Sequence, residues 1–221
     1  MEYNDIVKKI DSFVDENIDI LQLLYPREFD CEYSSIINDV VKNRCDLKQL
    51  KNEIETFFKF QGMNNDKKIK LLGIFDSEKE KIIKNGEINN IYKLYCELLD
   101  KTEKITGKFQ YVNTSKLMNL YNQNIPLFDN NVINFLKHIN VKIKNRTKEA
   151  YLVILNIYKL INEETNIPNI IKLKNTVYSN MEIDYINLNK FVDTLLYFIN
   201  DTKKLEKYKI LCKYKKGKNA T

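Results

Sequence analysis

The stretch YVNTSKLMNLYNQNIPLFDNNVINFL, residues 111–136, decides the reading of the chain. Thr114 or Ser115 can open a short helix that runs to about Tyr121, since a hydroxyl there can accept from an early backbone N–H. The Asn-rich Asn122-Gln123-Asn124 ends it. Pro126 biases Ile125 toward an extended path and fixes the turn. Asp129 then stands at the N-cap of a second helix whose apolar face is Val132, Ile133, Phe135 and Leu136. The local unit is helix–loop–helix, with Lys116 early in the first helix and Asp129 opening the second.

The same helical spacing recurs outward in both directions. Ile6, Ile10, Phe13 and Val14 form one stripe. Ile36, Ile37, Val40 and Val41 form another behind the capping residues Ser34 and Ser35. Asp46 can cap a helix with the face Leu47, Leu50, Ile54, Phe57 and Phe58. Ile91, Leu94, Tyr95, Leu98 and Leu99 make a stripe, as do Tyr151, Ile154, Leu155, Tyr158 and Ile161. Helices are predicted near 78–84, 87–103, 146–164, 167–177 and 184–214. Alternating strand patterns with hairpin turns are hard to find, so the fold class is all-α. Two lobes are expected, residues 1–103 and 104–200, with a soft boundary near 101–113 and a basic tail over 201–221.

Composition narrows the function classes. The chain has 221 residues, enough to bury a core without staples. It holds only five Gly and three Pro, and no apolar run approaches the length of a membrane span. The N-terminus lacks the apolar segment of a signal peptide, so the expected location is cytoplasmic. Four cysteines, at 31, 45, 96 and 212, form no metal-binding spacing, and His138 is the sole histidine. No metal and no cofactor are therefore expected, and the cysteines read as reduced core thiols. P-loop and dinucleotide glycine motifs are absent.

Charge is unevenly placed. Of 36 basic residues 33 are Lys, a bias that an AT-rich genome would give through codon usage alone. Residues 1–103 are net acidic by 5, residues 104–200 net basic by 5 and residues 201–221 net basic by 6. Asymmetry of this kind points to a polyanionic partner. Lys137, Lys142, Lys144, Arg146 and Lys148 follow the second helix with no acid among them, where they can meet phosphates.

The segment 111–136 resembles the helix-hairpin-helix DNA glycosylases, and more closely the small proteins with an oxoguanine-DNA-glycosylase fold. The matching pieces are Ser115-Lys116-Leu117, then Pro126-Leu127-Phe128-Asp129 and the helix from Asn130. Residues 190–197, KFVDTLLY, are similar to a closing helix of such proteins. The resemblance implies a Lys nucleophile at Lys116 and an assisting carboxylate at Asp129. Where the family carries a glycine-rich hairpin turn that grips a phosphate, this chain has Val112-Asn113-Thr114-Ser115. The resemblance thus puts the hydroxyls of Thr114 and Ser115 at a helix N-terminus as phosphate ligands.

What the resemblance implies is a monomeric DNA glycosylase acting on a flipped damaged or modified base, with Schiff-base lyase activity at Lys116. Phe128, Tyr121 and Tyr197 are the aromatic residues expected near such a base. A non-catalytic nucleic-acid-binding module and an all-α protein-interaction domain are the alternatives.

Overall fold

The computed structural model describes residues 2–25, 51–52, 55, 63–163, 167–179 and 187–199. The stripes expected over 36–41 and 47–58, three of the four cysteines and the basic tail lie outside this described set, apart from isolated positions. Eight helices and no strands occur among the described residues. They are α1 (Tyr3–Leu24), α2 (Asn65–Lys84), α3 (Ile88–Thr106), α4 (Tyr111–Tyr121), α5 (Asn130–His138), α6 (Lys148–Asn162), α7 (Pro168–Val177) and α8 (Leu188–Ile199).

Local chemistry sets several ends. Asn64 caps α2 by accepting from the Lys67 N–H at 3.0 Å. Thr147 caps α6 by accepting from the Ala150 N–H at 3.1 Å. Gly107, at φ 80, ends α3 in the left-handed conformation that glycine adopts without steric cost. Pro168 occupies the first turn of α7, where a missing N–H costs nothing.

The boundary expected at residues 103/104 falls inside α3. The first half also reaches into the second, because α1 packs on α6 and α7. One apolar core runs through both halves, from Ile6 and Ile10 through Leu98 and Leu99 to Ile154, Phe191 and Leu195. Helix α2 packs on α3 and α4, α3 on α4 and α6, and α8 on α5 and α6.

A long-range polar contact pins α1 to α7. Asp11 Oδ1 accepts from the backbone N–H groups of Asn169 at 3.0 Å and Ile170 at 2.9 Å, and Oδ2 accepts from Asn169 Nδ2 at 2.9 Å. Ile167, the residue before α7, gives no side-chain cap of its own. An acid on another helix therefore satisfies the orphan donors at this N-terminus.

Cys96 is a half-buried free thiol. Among the described residues no helix is long and apolar enough to cross a membrane.

Candidate functional site

Helix α4 is the centre of the site. It begins at Tyr111, three or four residues earlier than its hydroxyl residues suggest, with the Thr114 N–H bonded to the Gln110 carbonyl at 2.8 Å. Thr114 and Ser115 are consequently inside the helix and fully buried, not at its N-terminus. Their hydroxyls, expected to meet a DNA phosphate, thus lie in the interior of this structure and not at an exposed helix end. The Ser115 hydroxyl instead donates to the Val112 carbonyl at 3.0 Å and accepts from the Phe128 N–H at 2.9 Å.

That contact is one of a series. The loop 122–129 is bracketed along its length by side chains from surrounding elements. Asn189 Nδ2 donates to the Asn124 carbonyl at 2.9 Å, and Asn119 Nδ2 to the Ile125 carbonyl at 2.6 Å. The Tyr151 hydroxyl donates to the Pro126 carbonyl at 3.2 Å. Asn122 Nδ2 ties the start of the loop to the Ile82 and Asn85 carbonyls, each at 3.0 Å. Buried backbone groups need such partners, and here the carbonyls of Asn124, Ile125 and Pro126 and the Phe128 N–H find them in polar side chains.

Aromatic rings support the same loop from below. Tyr95 and Tyr151 lie 3.9 Å apart between centroids, Tyr151 and Phe128 5.5 Å, and Phe128 and Tyr111 6.3 Å with the rings edge to face. Phe128 and Tyr121, both expected near a base, are buried members of the core. The Tyr197 side chain lies outside the described set. Phe109, next to Tyr111 at 5.6 Å, is the exposed aromatic of this region.

The outcome of this bracing is the position of Asp129. Its Oδ1 accepts from the N–H groups of Asn131 at 2.9 Å and Val132 at 3.1 Å, so it caps α5 as expected. The charge of Asp129 acts on Lys116, thirteen residues earlier on α4. Lys116 is largely buried. Burial pushes its ammonium below the ordinary lysine range, and the Asp129 carboxylate pulls the other way. The structure thus brings the Asp129 charge within electrostatic reach of the Lys116 amine.

Behind them stands a third group. Asp193 on α8 is 3% exposed, and its Oδ1 accepts from the Tyr158 hydroxyl at 2.5 Å. Burial pushes its carboxyl up to about 7, opposed by the Tyr158 hydrogen bond and the charge of Lys190. Asp129 adds to the rise, and the Leu127 backbone N–H opposes it. Sequence reasoning touched Asp193 only within a similar helix and gave it no role. The available signal was an acid inside the apolar run Phe191-Val192-Asp193-Thr194-Leu195-Leu196, since charges are rarely buried without a partner.

The basic residues divide. Lys137, Lys142, Lys144 and Arg146 are exposed. The loop after α5 folds back on that helix: Lys137 Nζ donates to Asn145 Oδ1 at 2.6 Å, and the Arg146 guanidinium to Asn130 Oδ1 at 3.3 Å. Arg146 thereby lies beside the residue that follows Asp129. Its backbone is left-handed, at φ 50, which is uncommon for a residue with a Cβ. Lys148 points elsewhere, pairing with Asp100 on α3 at 2.8 Å with its amine 5.7 Å from the Phe109 ring centroid. The Asp100 hydrogen bond holds the Lys148 ammonium above its usual range.

Among the described residues no cluster of three or more His, Cys, Asp or Glu side chains is placed to hold a metal ion. No known family model, curated protein or solved structure matches this chain.

Proposed function

We propose that this protein is a DNA glycosylase that removes a damaged or modified base, with Lys116 as nucleophile and Asp129 as its acid–base partner. The observation that carries the reading is a largely buried Lys116 amine under the charge of a carboxylate whose other duty is to cap a helix. An amine attacks carbon only as the free base, and an ordinary lysine holds its proton at neutral pH. Burial at Lys116 works against that proton.

In the reaction, the Nζ lone pair forms a bond to the sugar C1′ while the N-glycosidic bond breaks, its electron pair leaving with the base. The Asp129 carboxylate stabilises positive charge at the sugar as the base departs, by analogy with glycoside hydrolysis. It then takes the proton released by the attacking nitrogen. Passing that proton on to the ring oxygen O4′ opens the sugar to a Schiff base; the freed Asp129 carboxylate then takes the C2′ proton, and its electron pair forms the C2′–C3′ double bond as the 3′ phosphate leaves. The exposed Lys137, Lys142, Lys144 and Arg146 supply the positive face for phosphates flanking the flipped nucleotide.

The test is incubation of the protein with a panel of modified-base duplexes under borohydride, followed by alkali treatment to reveal abasic sites. Wild type is expected to form a trapped adduct on at least one duplex. Lys116→Gln should lose the adduct and strand nicking while keeping DNA binding. Absence of adduct and of base release on every duplex overturns the assignment.

A further inference from the structure

The turn between α3 and α4 holds an aromatic ring out to solvent. Phe109 is 40% exposed, although the residues on both sides of it are anchored. The Thr106 hydroxyl has the Thr102 and Lys108 carbonyls within donating distance, at 2.9 and 2.8 Å, and accepts from Gln110 Nε2 at 3.2 Å. Gln110 is buried, and its Oε1 accepts from Asn113 Nδ2 at 3.0 Å. The Tyr95 hydroxyl donates to the Tyr111 carbonyl at 3.2 Å. A lone exposed ring is ordinary on a protein surface. A ring carried on a turn fixed by buried polar groups is already ordered, so a partner that covers it need not spend binding energy on ordering it.

The surroundings of the ring say what kind of partner fits. The Tyr111 ring lies 5.6 Å away at a tilt of 44°, and the Lys148 amine stands over the Phe109 ring at 5.7 Å from its centroid, within cation–π range. Lys104 and Lys108, both exposed, accompany Phe109 in the chain. Lys148 closes the run of basic residues that begins at Lys137, and the acids near it are Asp100, its partner at 2.8 Å, and Glu149. Docking of a protein would call for a continuous apolar patch around the ring. Cations flank this ring instead. An aromatic face with cations alongside matches a nucleotide, whose base stacks while its phosphates meet the positive charges.

We propose that Phe109 is a stacking platform for an unpaired base of a bound DNA strand. The proposal rests on the excision reading for DNA as the partner and on nothing of its chemistry. Phe109 also continues inward: Tyr111 meets Phe128 edge to face at 6.3 Å, and Phe128 directly precedes Asp129. A base on Phe109 therefore lies at the outer end of the row of rings that supports the loop 122–129.

The test is fluorescence anisotropy of the full chain with a labelled single-stranded DNA of mixed sequence, its fully paired duplex and an RNA strand of the same sequence, each over a range of salt. Phe109→Ala and Phe109→Leu should weaken single-strand binding by about 5–100-fold, and Phe109→Tyr should keep wild-type affinity, because stacking needs the ring and not merely an apolar group. The salt slope should be the same in all four proteins, since no charge is altered. Duplex affinity should also be the same, because paired bases are already stacked on one another. Wild-type single-strand affinity in Phe109→Ala, or in Phe109→Leu, overturns the platform, and tighter binding of the RNA strand overturns DNA as its occupant. An unaltered Phe109→Ala beside base release by wild type overturns the platform and leaves the excision reading standing. Loss of single-strand binding in Phe109→Ala with no base release or trapped adduct from wild type keeps the platform and overturns the excision reading. No binding of either DNA by wild type at low salt overturns both.

Discussion

Asp129 uses its two oxygens differently, and this allows its capping and its chemistry to be separated. Oδ1 receives both N–H groups at the start of α5. Asp129→Asn keeps an oxygen in that place and replaces only the other oxygen with an amide. Asn and Asp rank together as caps, so the Asn variant loses only the interaction of a charge with the helix dipole, about 0.3–1 kcal/mol. Asp129→Ala removes the acceptor and should lose about 1–2 kcal/mol. Urea unfolding would read this ordering. Base release should not follow it. In both variants the rate should fall by about 10²–10⁴-fold, because neither side chain can take a proton or oppose cationic charge at the sugar. In barrier terms that is about 3–5 kcal/mol. The assay is single-turnover release from a duplex that wild type processes, with abasic sites revealed by alkali. Any remaining activity that depends on Lys116 should shift to lower pH in Asp129→Asn, since the carboxylate that holds up the Lys116 ammonium is gone. If Asn restores both the stability and the rate that Ala removes, Asp129 is a cap and nothing more.

Three further outcomes are expected. The Asp193 carboxyl is raised from 3.8 to about 7, so its contribution to stability is complete below the lower value and is lost as pH rises through the upper one. At about 1.4 kcal/mol per unit, wild type should lose about 2 kcal/mol between pH 5.5 and 8, and Asp193→Asn should flatten that slope in urea titrations; an equal slope in both proteins would contradict it. Asp11→Ala strands the donors at the start of α7 and should lower unfolding free energy by about 2–4 kcal/mol, with a loss under about 1 kcal/mol counting against the cross-helix cap. Charge reversal at Lys142, Lys144 and Arg146 together should weaken DNA binding, each lost phosphate contact reducing the salt slope by about 0.9, and an unchanged slope in fluorescence anisotropy would remove these residues from the interface.

Periodicity made the helices legible because each stripe is short-range information. Ile91 to Leu99 and Tyr151 to Ile161 lie where their spacing puts them, and Asp129 caps α5 because the cap needs only the next three residues. Thr114 and Ser115 misled because hydroxyls are good caps. Here Gly107 ended the preceding helix early enough for α4 to start at Tyr111, which drew both residues into the core. Lys116 and Asp129 stand out through a local pattern, and the charge of Asp129 does act on Lys116. The setting of Asp193 is not legible in the same way, because it is made by the approach of Tyr158 and of the turn at Leu127, contacts between distant parts of the chain. Lys148 was grouped with its basic neighbours by sequence, whereas its partner Asp100 lies 48 residues earlier.

The bracing of the loop 122–129 also imposes an order of events on a growing chain. Helix α4, the loop and α5 are synthesised as one continuous run, yet the bracket on Asn124 comes from Asn189, 65 residues later. Tyr151, which holds Pro126, follows by 25 residues. A ribosome that has finished α5 has therefore released every atom of Lys116 and Asp129 but few of the groups that hold the turn between them. The Tyr151 and Asn189 brackets form only after α6 and then α8 have emerged and docked. A nascent or truncated chain ending before residue 188 would carry the Lys116 and Asp129 side chains without the Asn189 bracket on the loop that joins their helices.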